Sequence, residues 1–148
     1  MSTMRLLWLD DNLAQIEVLA EALRAKGHEV KVVTTLEEAE SLLGTHTYHL
    51  LILDVMVPTW SAEEEERYSP EATERGLKTG LIFYRRAQEM LRQKGTAVLV
   101  LTIRRERELL EAFMEAGLPE HCFATKFALR NPERFVEKVE NILGETVR

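Results

Sequence analysis

The stretch LLILDVMVP, from Leu50 to Pro58, decides how the chain is expected to fold. A continuous run of leucine and isoleucine suits a strand that is buried on both faces, as in a parallel sheet covered by helices. Here the run leads directly into Asp54, and a proline ends the segment. A carboxylate at the end of such a strand has only partial access to water, so Asp54 calls for a functional explanation.

Strand-like and helix-like patterns alternate along the rest of the chain. Short apolar runs predict four further strands, and apolar residues at helical spacing, ended by glycines, predict the helices between them. Asn131 and Pro132 form a strong start signal for the last helix. Five β–α units in order imply an α/β fold with a doubly wound five-stranded parallel sheet in a single domain, residues 1–148. The four further strands are RLLWL, HEVKVVTT, AVLVLT and HCFAT, and the helices are LAQIEVLAEALRAKG, TLEEAESLLG, GLIFYRRAQEMLRQKG, ERELLEAFMEAG and NPERFVEKVENILG.

Composition excludes several classes of protein. The chain has 148 residues, 45% hydrophobic and 30% charged, which is typical of a globular domain. No apolar run approaches the roughly 20 residues of a transmembrane helix, and the N-terminal residues lack a signal-peptide pattern. The single cysteine, Cys122, cannot form an internal disulfide, which favours the reducing cytoplasm. The net charge of −6 argues against direct binding to nucleic acid or to an anionic membrane.

One segment interrupts the alternation. Residues 59–79, an acidic insertion between the third strand and the third helix, make a long βα connection whose composition fits a solvated, partly disordered surface loop. A second hypothesis starts from the fourth predicted helix, which begins with three arginines although the helix dipole disfavours cations there. The glutamate run Glu63–Glu66 would then fold towards these arginines as a lid over Asp54. The arginines are Arg104, Arg105 and Arg107.

Polar residues follow four of the predicted strands. The acids Asp10 and Asp11 follow the first strand and Asp54 the third, while Thr102 ends the fourth and Lys126 follows the fifth. Because ligands bind at the carboxyl ends of strands in open α/β sheets, these side chains are expected to converge on one edge. Taken singly, each has a purely structural explanation. Capping of the first helix by Asp11 or Asn12, with Gln15 completing a capping box, is one example.

The joint arrangement fits phosphoryl chemistry. Three clustered carboxylates repel one another unless a cation is present, and oxygen ligands of this kind suit Mg²⁺. A carboxylate is also a competent nucleophile towards a phosphoryl group. Lys126 would pair with the resulting anion, and Thr102 would donate a hydrogen bond to it.

These motifs resemble the CheY-like receiver domain of response regulators in two-component signalling. LWLDDN is similar to the acidic pair of that family, LLILDVMVP to its phosphoacceptor strand, VLVLT to the strand that ends in Thr or Ser, and FATKF to the strand with the lysine. The resemblance implies a flavodoxin-like (βα)5 three-layer sandwich. It also implies that Asp54 accepts a phosphoryl group from a sensor histidine kinase or a phosphotransfer protein. Mg²⁺ would be held by Asp10, Asp11, Asp54 and the backbone carbonyl of Met56, with Thr102 and Phe123 as switch residues.

By the same resemblance the chain is a stand-alone receiver that acts through protein binding. Its output surface would consist of the fourth predicted helix, the fifth strand and the fifth predicted helix, and dimerisation through that surface stays open. Such a receiver accepts and slowly hydrolyses its own phosphoryl group and is not a turnover enzyme. An aspartyl-phosphate phosphatase would need an acid two residues after the nucleophile, where this chain has Met56.

Three positions depart from the family pattern. Phe127 replaces the usual proline after the lysine, which disfavours a cis peptide bond there. Ile103 replaces a small residue and would narrow the access to Asp54, and Phe123 lacks a hydroxyl at the switch position. Ile103, Phe127 and the inserted loop favour the alternative that the chain is a pseudo-receiver, an interaction module that is not phosphorylated. The intact set of acids argues against that alternative.

Overall fold

Five parallel strands form one sheet in the computed structural model, which describes residues 3–146. The strand order is β2-β1-β3-β4-β5, the doubly wound arrangement predicted from the alternating patterns. The strands are β1 (Arg5–Leu9), β2 (Glu29–Val33), β3 (Leu50–Leu53), β4 (Ala97–Thr102) and β5 (Phe123–Thr125). The helices are α1 (Leu13–Ala25), α2 (Leu36–Thr45), α3 (Ala62–Arg67), α4 (Pro70–Thr73), α5 (Thr79–Lys94), α6 (Arg107–Glu115) and α7 (Pro132–Thr146).

Helices cover both faces of this sheet. On one face α1 contacts α7, and the ring of Trp8 in β1 stacks on Phe135 of α7 with the centroids 5.3 Å apart. On the other face α2 contacts α5, and Tyr84 of α5 packs on Phe113 of α6. All four residues of β3 are fully buried, which explains its uninterrupted apolar run. The three-layer sandwich is therefore confirmed. Within residues 3–146 no helix is long and apolar enough to cross a bilayer.

All the predicted strands and helices are present, but several of their ends differ: β2 and β3 are shorter than predicted, Gly44 lies inside α2 instead of ending it, and the fifth strand begins later. That strand begins at Phe123, because Glu120–Cys122 form a single turn of 3₁₀-helix. Cys122 thus precedes the strand, although it is buried as expected, and burial raises the pKa of its thiol to about 11. Asn131 caps α7 as predicted, since its side-chain oxygen accepts hydrogen bonds from the backbone N–H groups of residues 133 and 134.

The acidic insertion is not the loop that its composition predicts. It contains two short helices, α3 and α4, each with a serine cap. Ser61 accepts a hydrogen bond from the backbone N–H of Glu64, and Ser69 accepts one from that of Ala72. These caps satisfy backbone donors that a short helix otherwise leaves free.

A buried glutamate fastens α3 to the start of α2. Glu64 is 1% exposed, and its carboxylate accepts hydrogen bonds from the backbone N–H groups of Glu37, at 2.8 Å, and Trp60, at 2.6 Å. Glu37 lies in the first turn of α2, where unpaired N–H groups and the helix dipole favour a negative charge. One residue of the glutamate run therefore acts as a helix cap supplied from outside the helix.

A second set of contacts holds the end of α3. Glu40 of α2 forms an ion pair with Arg67 at 2.9 Å and accepts a hydrogen bond from the phenol of Tyr68 at 3.1 Å. The ring of Tyr68 is buried against Phe83 of α5, and the guanidinium of Arg86 lies over it. Burial, followed by the charge of Glu40, raises the pKa of the Tyr68 phenol. The insertion is thereby packed onto both α2 and α5.

Truncation of Glu64 is expected to loosen this attachment. Glu64→Ala leaves two backbone donors without their acceptor, and we expect a loss of about 1–3 kcal/mol in the free energy of unfolding. The neighbouring Glu63 is exposed, so Glu63→Ala should change stability by less than about 0.5 kcal/mol. Urea denaturation measures both variants. Equal stabilities for the two would contradict the role assigned to Glu64.

Gly80, at the start of α5, touches the backbone of the third strand's end. A Cβ at this position would lie 2.4 Å from the carbonyl oxygen of Asp54 and 2.7 Å from the Cα of Val55. The N–H of Gly80 also donates to the carbonyl of Val55 at 2.7 Å. Only a residue without a side chain permits this approach. The insertion therefore returns the chain to within van der Waals distance of Asp54.

Gly80→Ala is accordingly expected to destabilise the protein by about 2–4 kcal/mol, because backbone atoms rather than a flexible side chain must move. Gly44 provides the matched control, since it lies in α2 and a Cβ there would meet nothing within 4 Å. Gly44→Ala should be neutral or stabilising by up to about 1 kcal/mol. Thermal or urea denaturation of both variants tests the difference, and similar effects would refute it.

Candidate functional site

The acids after β1 and β3 meet at the carboxyl edge of the sheet. Asp10 is fully buried, Asp54 is 4% exposed and Asp11 is exposed. The backbone N–H of Asp54 donates to the carbonyl of Leu9 at 3.0 Å, which fixes the end of β3 beside the end of β1. As a result, one carboxylate oxygen from each acid lies within 4.8 Å of the other two. The predicted convergence of the three acids is present in the structure.

Lys126 supplies the positive charge at this edge. Its backbone N–H donates to the carbonyl of Thr102 at 2.8 Å, which anchors the residue beside the end of β4. Its ammonium nitrogen lies 2.8 Å from Oδ2 of Asp10 and 3.5 Å from Oδ2 of Asp54. The side chain is 12% exposed. The lysine therefore reaches from the fifth strand to the first and pairs with both buried acids.

The third partner of Lys126 is Gln15, whose side-chain oxygen accepts a hydrogen bond from the ammonium at 3.0 Å. The Gln15 side chain thus contacts the site and does not complete the capping box that the sequence suggested. The backbone N–H of Asn12 donates to Oδ1 of Asp10 at 2.9 Å, and the Asn12 side chain makes no capping hydrogen bond. In α1 the polar groups of the first turn serve the acid cluster instead of the helix end.

Thr102 is fully buried at the end of β4. Its hydroxyl oxygen accepts a hydrogen bond from the backbone N–H of Arg104 at 3.3 Å. That bond lies in the loop ahead of α6, so Thr102 does not cap the helix itself. The hydroxyl keeps its own hydrogen for donation to another acceptor.

Electrostatics at the edge are unbalanced towards negative charge. Burial raises the pKa of Asp54 to about 6, the neighbouring charge of Asp10 adds to this, and Lys126 opposes it. Burial also raises the pKa of Asp10, against the hydrogen bond from Lys126. Val55 donates its backbone N–H to Oδ1 of Asp54 at 2.8 Å, which partly stabilises the ionised form. One ammonium pairs with two buried carboxylates, and the exposed carboxylate of Asp11 lies near both acids.

This donor set fits a hard divalent cation. The three acids offer only oxygen ligands, two of them rigidly held and one exposed towards solvent, which suits a Mg²⁺ ion that keeps some of its water. The backbone carbonyl of Met56, the fourth ligand expected from the sequence, stays a prediction. The switch role of Phe123 also stays a prediction. Its half-buried ring packs on Phe113 at 5.7 Å.

The lid hypothesis is wrong, because it predicted contacts between the glutamate run and the arginines at the start of α6, and two of those arginines have other partners. Arg104 binds Glu106 and the carbonyl of Leu77, and Arg107 binds Glu111. Acids close in sequence satisfy these arginines, while Glu64 turns inwards to α2. The insertion does reach the loop after Thr102, through the backbone of Leu77 rather than through its glutamates.

Two of the three departures from the family pattern, Ile103 and Phe127, lie on the surface. Ile103 is 57% exposed and Phe127 is 65% exposed, with the guanidinium of Arg130 over the Phe127 ring at 4.5 Å. The peptide bond between Lys126 and Phe127 is trans, as the replacement of proline led us to expect. Narrowing of the access to Asp54 by Ile103 stays a prediction.

Two residues that shape the site were not identified from the sequence. Gly80 offered a signal, because glycine is a poor helix former and here it begins a helix. For Gln15 there was no signal in the sequence beyond its place in the first turn after the acidic pair. Its contact with Lys126 joins residues that lie 111 positions apart.

Removal of the Asp54 charge is expected to stabilise the metal-free protein. Because the pKa of Asp54 is raised in the folded state, ionisation of this group costs stability as the pH rises from about 4 through about 6. At pH 7 without divalent cations, Asp54→Asn should therefore gain about 1–3 kcal/mol in the free energy of unfolding. At pH 4 the gain should largely disappear, since the wild-type carboxyl is then protonated. Urea denaturation at both pH values, in chelator, tests this, and a destabilised variant at pH 7 would contradict it.

Comparison with solved structures identifies the fold. No family model and no curated protein sequence matches the chain significantly. The structure superposes on a CheY-like response regulator receiver domain from Methanospirillum hungatei JF-1 with a TM-score of 0.73 and 20% identity, over 98% of this chain and 97% of that one. A chain described as a response regulator, from Chloroflexus aurantiacus J-10-fl, superposes with a TM-score of 0.71 and 26% identity, over 97% of this chain and 99% of that one. The beryllofluoride-activated NtrC4 receiver domain dimer superposes with a TM-score of 0.70 and 21% identity, over 96% of this chain and 98% of that one. Across nearly its whole length, the chain has the flavodoxin-like fold of CheY-like response-regulator receiver domains.

Proposed function

We propose that this chain is a receiver module that accepts a phosphoryl group on Asp54 and thereby changes its binding to other proteins. One observation carries the proposal. The buried carboxylate of Asp54 lies at the end of a central strand, within reach of an ammonium and beside two further acids. A buried carboxylate with this set of neighbours serves phosphoryl transfer better than it serves stability.

The donor in this proposal is a phosphohistidine of a sensor kinase or a phosphotransfer protein. A carboxylate oxygen of Asp54 attacks the phosphorus, a P–O bond forms and the P–N bond breaks. The electron pair of that bond returns to the histidine nitrogen, and the product is an acyl phosphate. The raised pKa of Asp54 means that the attacking form becomes more abundant as the pH rises through about 6.

Residues on the neighbouring strands stabilise the transferred group. Lys126 is already 3.5 Å from Asp54 and needs only a small side-chain movement to pair with a phosphoryl oxygen. Thr102 has a free hydroxyl hydrogen to donate from the adjacent strand. Mg²⁺ held by Asp10, Asp11 and Asp54 would supply positive charge against the phosphoryl oxygens. Transfer of this kind asks the protein mainly for positioning and charge.

The proposed output is a change of protein binding at the surface formed by α6, β5 and α7, in a protein of the cytoplasm. Met114 of α6 is 40% exposed there, an apolar residue available to a partner. Association of two copies through this surface is the homodimeric form of the same output. Water slowly hydrolyses the acyl phosphate and resets the module, so no turnover of an external substrate is involved.

A pseudo-receiver is the second candidate, favoured by the exposed Ile103 and Phe127 beside the site. It would use the same surfaces for binding without any phosphoryl transfer. The acids, the threonine and the lysine would then be remnants that fix the fold.

Phosphorylation by a small phosphodonor distinguishes the two candidates. We expect intact-mass analysis to show the gain of one phosphoryl group when wild type is incubated with Mg²⁺ and acetyl phosphate or phosphoramidate. Asp54→Asn should gain none, and a chelator should abolish the gain in wild type. Glu63→Gln is the matched control for the loss of one acidic side chain, because it lies in the exposed part of the insertion. A wild-type mass that stays unchanged would favour the pseudo-receiver, and labelling of Asp54→Asn would refute Asp54 as the acceptor.

A further inference from the structure

Gln15 has a contact that helix formation does not explain. It lies in the first turn of α1, is exposed, and directs its side-chain oxygen to the ammonium of Lys126 at 3.0 Å. An ammonium has three N–H donors, and here three oxygens surround it: one each from Asp10, Gln15 and Asp54. Gln15 is the only uncharged member of that trio.

The distances are unequal. The oxygens of Asp10 and Gln15 lie at hydrogen-bond distance, 2.8 and 3.0 Å, whereas that of Asp54 lies at 3.5 Å. Both short contacts come from the β1–α1 side of the site, and Asp54 comes from β3. The amide of Gln15 therefore helps to hold the ammonium on the β1–α1 side of the site, nearer to Asp10 than to Asp54.

We infer that Gln15 is a positioning residue that divides the charge of Lys126 between Asp10 and Asp54. The inference rests on the proposed function for its consequence, since the position of the lysine decides how much negative charge Asp54 presents to a cation or to a phosphoryl group. With the amide in place, the ammonium lies nearer to Asp10, and the carboxylate of Asp54 is the more weakly paired of the two. Without it, the ammonium has only carboxylates as partners and moves closer to Asp54.

The direct test observes the lysine itself. In the metal-free protein, the ¹⁵Nζ resonance of Lys126 reports the hydrogen bonds of its ammonium. Gln15→Met, which keeps the length of the side chain and removes the amide, should shift this resonance. Gln15→Asn, whose amide is one methylene too short, should do the same. Glu17→Gln changes an exposed residue on the same helix and should leave the resonance in place.

Titration with Mg²⁺ alone tests the consequence. A lysine that lies closer to Asp54 competes more strongly with the cation, so Gln15→Met should weaken Mg²⁺ binding by about two- to five-fold. In a Lys126→Met background the same substitution should have no effect, because the competitor is gone. A purely structural role of Gln15 would weaken binding equally in both backgrounds, and that result would overturn the inference. An unchanged Lys126 resonance in Gln15→Met would overturn it as well.

Failure of the proposed function gives a different pattern. If wild type gains no phosphoryl group while the Lys126 resonance and the Mg²⁺ affinity respond as described, the acceptor role fails and the positioning role stands. If wild type is phosphorylated and the variants behave like wild type in both measurements, the positioning role fails alone.

Discussion

The ion pair between Lys126 and Asp10 is the interaction on which the rest of this site depends. Asp10 is fully buried, and a buried carboxylate without a partner costs several kcal/mol. Its partner, Lys126, follows the short strand β5, which lies at the edge of the sheet and pairs with β4. The acid and the ammonium therefore come together only when β1, β3, β4 and β5 have assembled. The same ammonium holds the second acid, Asp54, in a folded chain before any cation binds.

Sequence reasoning succeeded where burial alone determines the structure. Each interior strand of the sheet is apolar on both sides, so a run of leucine, isoleucine or valine reveals where it lies in the sequence. Once the strand is located, the polar residues at its carboxyl end are candidates for the site. The insertion was missed because α3 and α4 have six and four residues, too few to show a helical period. Their serine caps were visible as Ser61 three residues before Glu64 and as Ser69 before Pro70.

Charge matching from sequence failed for a different physical reason. Arginines at the start of a helix attract any nearby carboxylate, and the nearest ones belong to Glu106 and Glu111, two and four residues away from their partners. These local pairs cost less chain entropy than a contact with a glutamate some 40 residues earlier. Glu64, in turn, accepts a hydrogen bond from a backbone N–H group at the N-terminus of α2. Sequence shows which charges need a partner but not which partner is within reach.

The insertion contacts the carboxyl edge of the sheet at two points. Its first half is fastened to α2 by Glu64, and its end touches the backbone of Asp54 through Gly80. Between these points the carbonyl of Leu77 accepts a hydrogen bond from the side chain of Arg104, whose own backbone N–H donates to Thr102. Because Thr102 bonds to the backbone of Arg104 and the side chain of Arg104 bonds to Leu77, we expect a movement of the threonine to reach both residues. The insertion therefore contacts the edge that carries the acids, although no ion pair within residues 3–146 joins its glutamates to the arginines that first suggested a connection.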